Sequence, residues 1–168
     1  MGTRLQCTQA YAATPAVVRA MVTDAAYIDA RARVTGALEV TATLEQGADG
    51  VTSVVITRVL PSEMPAFAAS IVGETLTVTE HQAWQPIADG TCACAFTVDF
   101  SAPLVFTGTA AMSFDGTRTT VVTEGEFKAA VPLFGGKVER LALEQTERYL
   151  AKEQEFAAQW LVEHSADS

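Results

Sequence analysis

The chain has 168 residues, of which 49% are hydrophobic and 18% charged, with 11 Gly and 6 Pro; this supports one real core and excludes a disordered, collagenous or low-complexity protein. Its 11 Lys and Arg against 20 Asp and Glu leave a formal net charge of −9, an acidic surface that repels phosphate backbones, so no nucleic-acid partner is expected. No apolar run reaches the length of a membrane span, so no stable membrane insertion is expected, and Met1–Ala10 has no apolar core of signal-peptide length.

Thr3–Tyr11 reads as a strand. Thr14 then offers a helix N-cap with Pro15 at the first helical position, and Val17, Val18, Met21 and Val22 supply a short apolar stripe. Asp24 caps a second short helix, through Tyr27 and Ile28 to about Arg33, and Gly36 ends it. Leu38–Glu45 alternates as a half-buried strand. Gly47–Gly50 is a hairpin loop, and Val51–Leu60 returns. Pro61–Gly73 is a connection with a helical turn around Phe67. Thr75–Trp84, Thr91–Phe100, Val105–Phe114 and Thr119–Lys128 are four further strands, the last two joined at Asp115-Gly116. From about Leu133 to Glu163 the composition favours helix, with Val138, Leu141, Ala142, Gln145, Tyr149, Lys152, Phe156 and Trp160 at helical spacing. Glu144 and Arg148 stand four apart, in the favourable order for an ion pair. Such a helix of about 28 residues spans roughly 42 Å, enough to cross a sheet. A short acidic tail frays beyond it.

The order is strand, two short helices, six strands, long helix. Short turns between consecutive strands predict an antiparallel sheet of about seven strands, and helices gathered at the ends of the sequence predict an α+β fold. No linker interrupts it, so residues 1–168 are expected to form a single domain, ordered to about 163. A long helix laid over a curled sheet leaves a space of the kind that holds small ligands.

Strand parity says which side chains reach that space. On Thr75–Trp84, the threonine parity suits solvent, which leaves Leu76, Val78, Glu80, Gln82 and Trp84 inward. Glu80 and Gln82 then need partners. Arg58 shares parity with Val54, Ile56 and Leu60, so it could meet Glu80 as a ligand-orienting patch or as a plain ion pair. Phe67, Trp84, Phe96, Phe106, Met112, Phe114 and Tyr149 are candidate walls, or simply core. Gly108, Ala110, Gly125, Ala142 and Cys94 are small on the same faces and leave volume to be filled. Tyr149 brings a hydroxyl that needs a partner if buried.

Other chemistry is weakly supported. The three cysteines, Cys7, Cys92 and Cys94, are too few and odd in number for a disulfide framework and fit a reducing cytoplasm. Cys92 and Cys94 alternate with Phe96, Val98 and Phe100 as one apolar face, and His81 and His164 stand at no metal-ligand spacing, so no metal is expected. Glu124 and Glu126 share a face as a carboxylate pair would, or as an ordinary charged outer face with Lys128. Asp99 falls on a wet face. There is no nucleophile elbow and no dinucleotide-binding glycine motif, so no cofactor is expected.

Three stretches carry a resemblance. The first is Arg58-Val59-Leu60-Pro61 with Pro65, Phe67, Gly73, Leu76, Val78, Glu80 and Trp84. The second is Val131-Pro132-Leu133-Phe134-Gly135-Gly136-Lys137-Val138-Glu139, in which Gly135 and Gly136 are expected to turn the chain sharply. The third is Glu153–Leu161 with Phe156 and Trp160. They resemble an actinobacterial family of unknown function (DUF2505-like) in the START, polyketide-cyclase and birch-pollen-allergen-like (SRPBCC) superfamily, over nearly the whole chain. The resemblance implies the helix-grip fold, with a hydrophobic pocket for a lipid, a polyketide or another small apolar molecule. It brings no catalytic residues. The candidate ligand-binding set is Arg58, Phe67, Glu80, Gln82, Trp84, Phe96, Met112 and Tyr149. A cytoplasmic carrier is the first reading. A cyclase or hydratase using the polar members is the alternative. A protein-interaction domain with a filled core, or a homodimer, is the third.

Overall fold

The computed structural model describes residues 2–62 and 73–164. In chain order they form β1 (Thr3–Tyr11), α1 (Pro15–Val22), α2 (Ala25–Val34), β2 (Glu39–Gln46), β3 (Thr52–Pro61), β4 (Thr75–Trp84), β5 (Cys92–Phe100), β6 (Leu104–Phe114), β7 (Thr119–Ala129) and α3 (Gly135–His164). Phe67 and the helical turn expected around it lie outside the described residues.

Local chemistry fixes the ends. Thr14 accepts the Val17 N–H, and Asp24 accepts the Ala26 N–H at 2.8 Å. At the end of α2, Gly36 takes φ +109°, the Ala37 N–H reaches the Ala32 carbonyl and the Gly36 N–H reaches that of Arg33. This double closure is a Schellman stop, which favours a residue without a Cβ. The β6–β7 turn closes through the Asp115 carboxylate, which accepts the N–H groups of Thr117 and Arg118.

The seven strands form one antiparallel sheet in the order β1-β7-β6-β5-β4-β3-β2. The two short helices therefore carry the chain from one sheet edge to the other. Arg19 of α1 pins that crossing, donating to the carbonyls of Gln85, Gly50 and Trp84 and to the Thr52 hydroxyl. α3 packs on β1 and β7 and touches α2, and the sheet curves round it. Three bonds stitch α3 to the β1 edge and a fourth ties it to the end of β7. Glu139 accepts the Thr3 hydroxyl and the Ala129 N–H, Gln9 donates to the Leu150 carbonyl, and Gln154 accepts the Ala10 N–H. The last of these occupies a backbone donor on an otherwise open strand edge.

Four expectations are corrected. The sharp turn before α3 sits at Leu133, with φ +70° and 98% exposure, while Gly135 and Gly136 begin the helix. Gly135 serves instead by close approach, because a Cβ there would stand 3.1 Å from the Ala129 carbonyl. Phe114, the last residue of β6, is exposed and walls nothing. Among the described residues Glu144 and Arg148 form no ion pair, and Arg148 lies along the cavity described below. The room left by Gly108 and Gly125, paired across β6 and β7, is filled: a Cβ on Gly125 would stand 2.3 Å from the Phe106 ring.

Candidate functional site

The concave face of the sheet carries two apolar clusters. One gathers Val54, Ile56, Trp84, Cys94, Ala110, Met112 and Val121 with α1, α2 and Ala157. The other gathers Leu5, Val78, Val98, Leu104, Phe106, Phe127, Val138 and Ala142. Strand by strand, polar inward residues fall between them. On β3, Arg58 stands between Ile56 and Leu60. On β4, Glu80 and Gln82 stand between Val78 and Trp84. On β7 it is Thr123, and on β1 Gln9. From the other side α3 adds Tyr149 and Glu153, and α2 adds Arg31. A polar belt thus crosses an apolar space.

That space is a cavity of about 740 Å³ between sheet and α3. It is the size of a small-molecule site. It reaches the surface beside exposed Val34, Gly36, Pro61, Arg148 and Lys152, from the end of α2, the end of β3 and the middle of α3. Of the residues singled out from sequence, Arg58, Glu80, Gln82, Trp84, Phe96, Met112 and Tyr149 all line it. So do Ala110 and Ala142, whose short side chains help to keep it open. His81, Asp99 and Glu124 are on the outer face of the sheet, and His164 is exposed, stacked on Trp160. Among the described residues no three His, Cys, Asp or Glu side chains gather as metal ligands.

The belt is internally bonded. Trp84 Nε1–H donates to Gln82 Oε1 at 2.7 Å, and Gln82 Nε2–H donates to the Glu80 carboxylate. Bonded at its amide oxygen by the indole, Gln82 is held with its NH2 turned to Glu80. Arg58 donates to the Tyr149 hydroxyl at 2.5 Å and lies over the Tyr149 ring, 4.6 Å from its centre. Sequence parity set Arg58 toward Glu80. Register instead pairs Arg58 with Val78 and Glu80 with Ile56, and the guanidinium turns to the helix.

The belt's strongest feature went unread in the sequence. Arg31 and Glu153, on two different helices, form a buried ion pair at 3.6 Å. Burial pushes the Glu153 carboxyl up from its usual range; Arg31 pulls it back, Glu80 pushes it further and Arg58 pulls it back. The signal for Glu153 was present, four residues past inward Tyr149. The helical spacing that runs through Tyr149 lands equally on its neighbour Lys152. Arg31 gave none, since a basic residue in the last turn of a helix ordinarily serves the helix dipole.

Comparison with known proteins adds four findings. The sequence profile of a family described as "Protein of unknown function (DUF2505)" matches residues 6–161. An uncharacterized protein of Mycobacterium tuberculosis is 27% identical over 124 residues, covering 70% of each chain. Among solved structures, the Zhui aromatase/cyclase of Streptomyces sp. R1128 superposes with a TM-score of 0.65 at 17% identity, over 98% of this chain and 96% of that one. A START superfamily protein of Mycobacterium smegmatis superposes with a TM-score of 0.54 at 18% identity, over 94% and 98%. At these identities the structural likeness establishes the START-like fold. Among the described residues no helix is long and apolar enough to cross a membrane.

Proposed function

This chain belongs to the DUF2505 family of proteins of unknown function, and from its cavity we propose that it is a START-like single domain that binds one small, mainly apolar molecule between sheet and C-terminal helix. The observation that carries this reading is the 740 Å³ cavity itself, walled by Trp84, Phe96, Phe100, Phe106, Met112 and Phe127 and open beside α2. A core this well supplied with large side chains would close such a space if stability alone shaped it, because a cavity forfeits dispersion contacts on every wall. The three cysteines are free, which supports a reducing, cytosolic setting.

One observation favours turnover as a second reading. The Tyr149 hydroxyl accepts from the Arg58 guanidinium, which leaves its own proton free to be donated into the cavity. A phenol O–H aimed into the cavity is a candidate proton donor to a bound molecule, and the Glu80 side chain lines the same space.

Native mass spectrometry of gently purified protein, followed by mass spectrometry of its organic extract, tests the first reading. A co-purifying apolar molecule supports it. A clean apo mass, together with no thermal stabilisation by a panel of lipids and polyketide-like aromatics, overturns it. With a ligand in hand, Y149F and E80A separate the two readings: a carrier keeps its ligand unchanged chemically in both, whereas an enzyme's product disappears.

A further inference from the structure

On a chain of net charge −9, the cavity is a local reversal of sign. Among the described residues four cations line it, Arg31, Arg58, Arg148 and Lys152, against two carboxylates, Glu80 and Glu153. The whole chain has 11 Lys and Arg against 20 Asp and Glu. More than a third of the basic residues thus face one cavity, with only a tenth of the acidic ones. The charges do not simply cancel in pairs. Glu153 is taken by Arg31 at 3.6 Å, and Glu80 receives Gln82. Arg58 is 7% exposed, donates through Nη1 to the uncharged hydroxyl of Tyr149, and forms no ion pair with any described carboxylate. Its Nε–H is buried without a partner. Burying a guanidinium with an N–H unsatisfied and no carboxylate in contact is costly, so the site favours an acceptor that arrives from outside. Arg148 and Lys152, exposed at the rim, provide the attractive field for its entry.

Resting on the reading of the cavity as a ligand site, we propose that its ligand is an amphipathic carboxylate, an apolar body that fills the space and one anionic oxygen group received by Arg58 beside Tyr149. The flat, multiple-donor guanidinium suits a carboxylate better than a single hydroxyl. The apolar clusters on either side of the belt hold the body, so the acid group anchors within the chain's interior while the rim cations are passed on entry.

The test uses the full chain and three ligands with one alkyl body: decanoate, 1-decanol and decylamine. Each is titrated against the uncharged fluorescent probe 1-aminoanthracene, whose own binding reports the cavity. The expected result is that 1-aminoanthracene binds, and that decanoate displaces it at least about tenfold more tightly than 1-decanol, with decylamine weakest. In R58Q the ratio of decanoate to 1-decanol falls to near unity. The ratio, not the absolute affinity, is read, and the wild-type ratio alone decides the matter if R58Q does not fold. In the double variant R148Q/K152Q, both changes being on the surface, decanoate associates more slowly and loses most of its sensitivity to added salt. Equal displacement by decanoate and 1-decanol, tighter binding of decylamine, or displacement by none of the three overturns the acid-group inference and leaves the cavity reading standing. Failure of 1-aminoanthracene and all three to bind overturns both.

Discussion

Buried charge is where single residues matter most. Arg31 and Glu153 are both nearly inaccessible and share one contact at 3.6 Å. Removing one partner strands the other in low dielectric, so E153A is expected to cost about 3–5 kcal/mol, far more than a surface pair would. Urea denaturation measures it, and a loss below about 1 kcal/mol would show the pair to be solvent-screened. The pH dependence has an unusual sign for a carboxylate. Its folded-state pKa is raised, first by burial, so between the unfolded value, about 4.3, and the raised one the native chain holds more protons than the unfolded chain. The Glu153 contribution is therefore fullest below that window and declines as pH rises through it. The Tm difference between wild type and E153Q should shift in favour of wild type as pH falls from 7 towards 4.5. A flat difference, or one moving the other way, would mean that Arg31 dominates over burial. A smaller residue also has a sharp role. Gly125 lies under the Phe106 ring and near the Thr107 carbonyl, 2.3 and 2.5 Å from where a Cβ would be. G125A should destabilise by about 1–3 kcal/mol through overpacking, whereas G116A at the exposed β6–β7 turn meets no neighbour and suffers only from its positive φ. Equal midpoints for wild type and G125A would show that Phe106 has another place to go.

Elements were the most legible scale. Alternation placed all seven strands, and the capping residues Thr14 and Asp24 placed the two short helices, because those signals act over a few neighbouring residues. What the sequence could not state was how α3 is held. Its amphipathic stripe included Val138, Ala142 and Tyr149, but two of its five most buried residues are Glu139 and Glu153. A glutamate inside a helix looks like surface until the partner elements are known. Glu139 reaches the Thr3 hydroxyl and the Ala129 N–H, which are brought beside it only when β1 and β7 pair. The same limit explains Leu133. A residue with φ +70° and almost full exposure breaks the usual association of sharp turns with the nearest glycine. The stitch predicts its own defect. E139A leaves the Ala129 N–H without its acceptor and should cost about 1–3 kcal/mol. Amide exchange locates the loss: Ala129 should exchange faster in E139A while core amides such as Met112 slow or quicken only with global stability. If Ala129 is unaffected, water already satisfies that N–H and the Glu139 bond adds nothing to the hold on α3.

At the scale of the molecule, the sheet order, with β1 and β2 at opposite edges joined by two short helices, obliges the chain to wrap α3. The general place of the cavity was legible for that reason. Parity put Glu80, Gln82 and Trp84 inward, and they are there. The openness of the cavity was not legible, because volume is a difference between large quantities. Gly108 and Gly125 look like missing volume and are filled by Phe106, while Ala110 and Ala142 look alike and lie along the cavity. Ala110 now distinguishes a ligand cavity from a closed core directly. It is buried on central strand β6, with its side chain lining the cavity. If that space is unfilled by the fold, A110L adds apolar contacts where none exist, so stability should hold or rise by about 0.5–2 kcal/mol while 1-aminoanthracene binding falls. If the side chains around it have already closed the space, the extra atoms have nowhere to go and stability falls by about 1–3 kcal/mol. Urea midpoints and probe titration on the same two proteins decide it. Gain of stability with loss of binding is the signature of a site kept open for a guest. Loss of stability with unchanged binding would move any guest elsewhere and turn attention to the outer face of the sheet as an interaction surface.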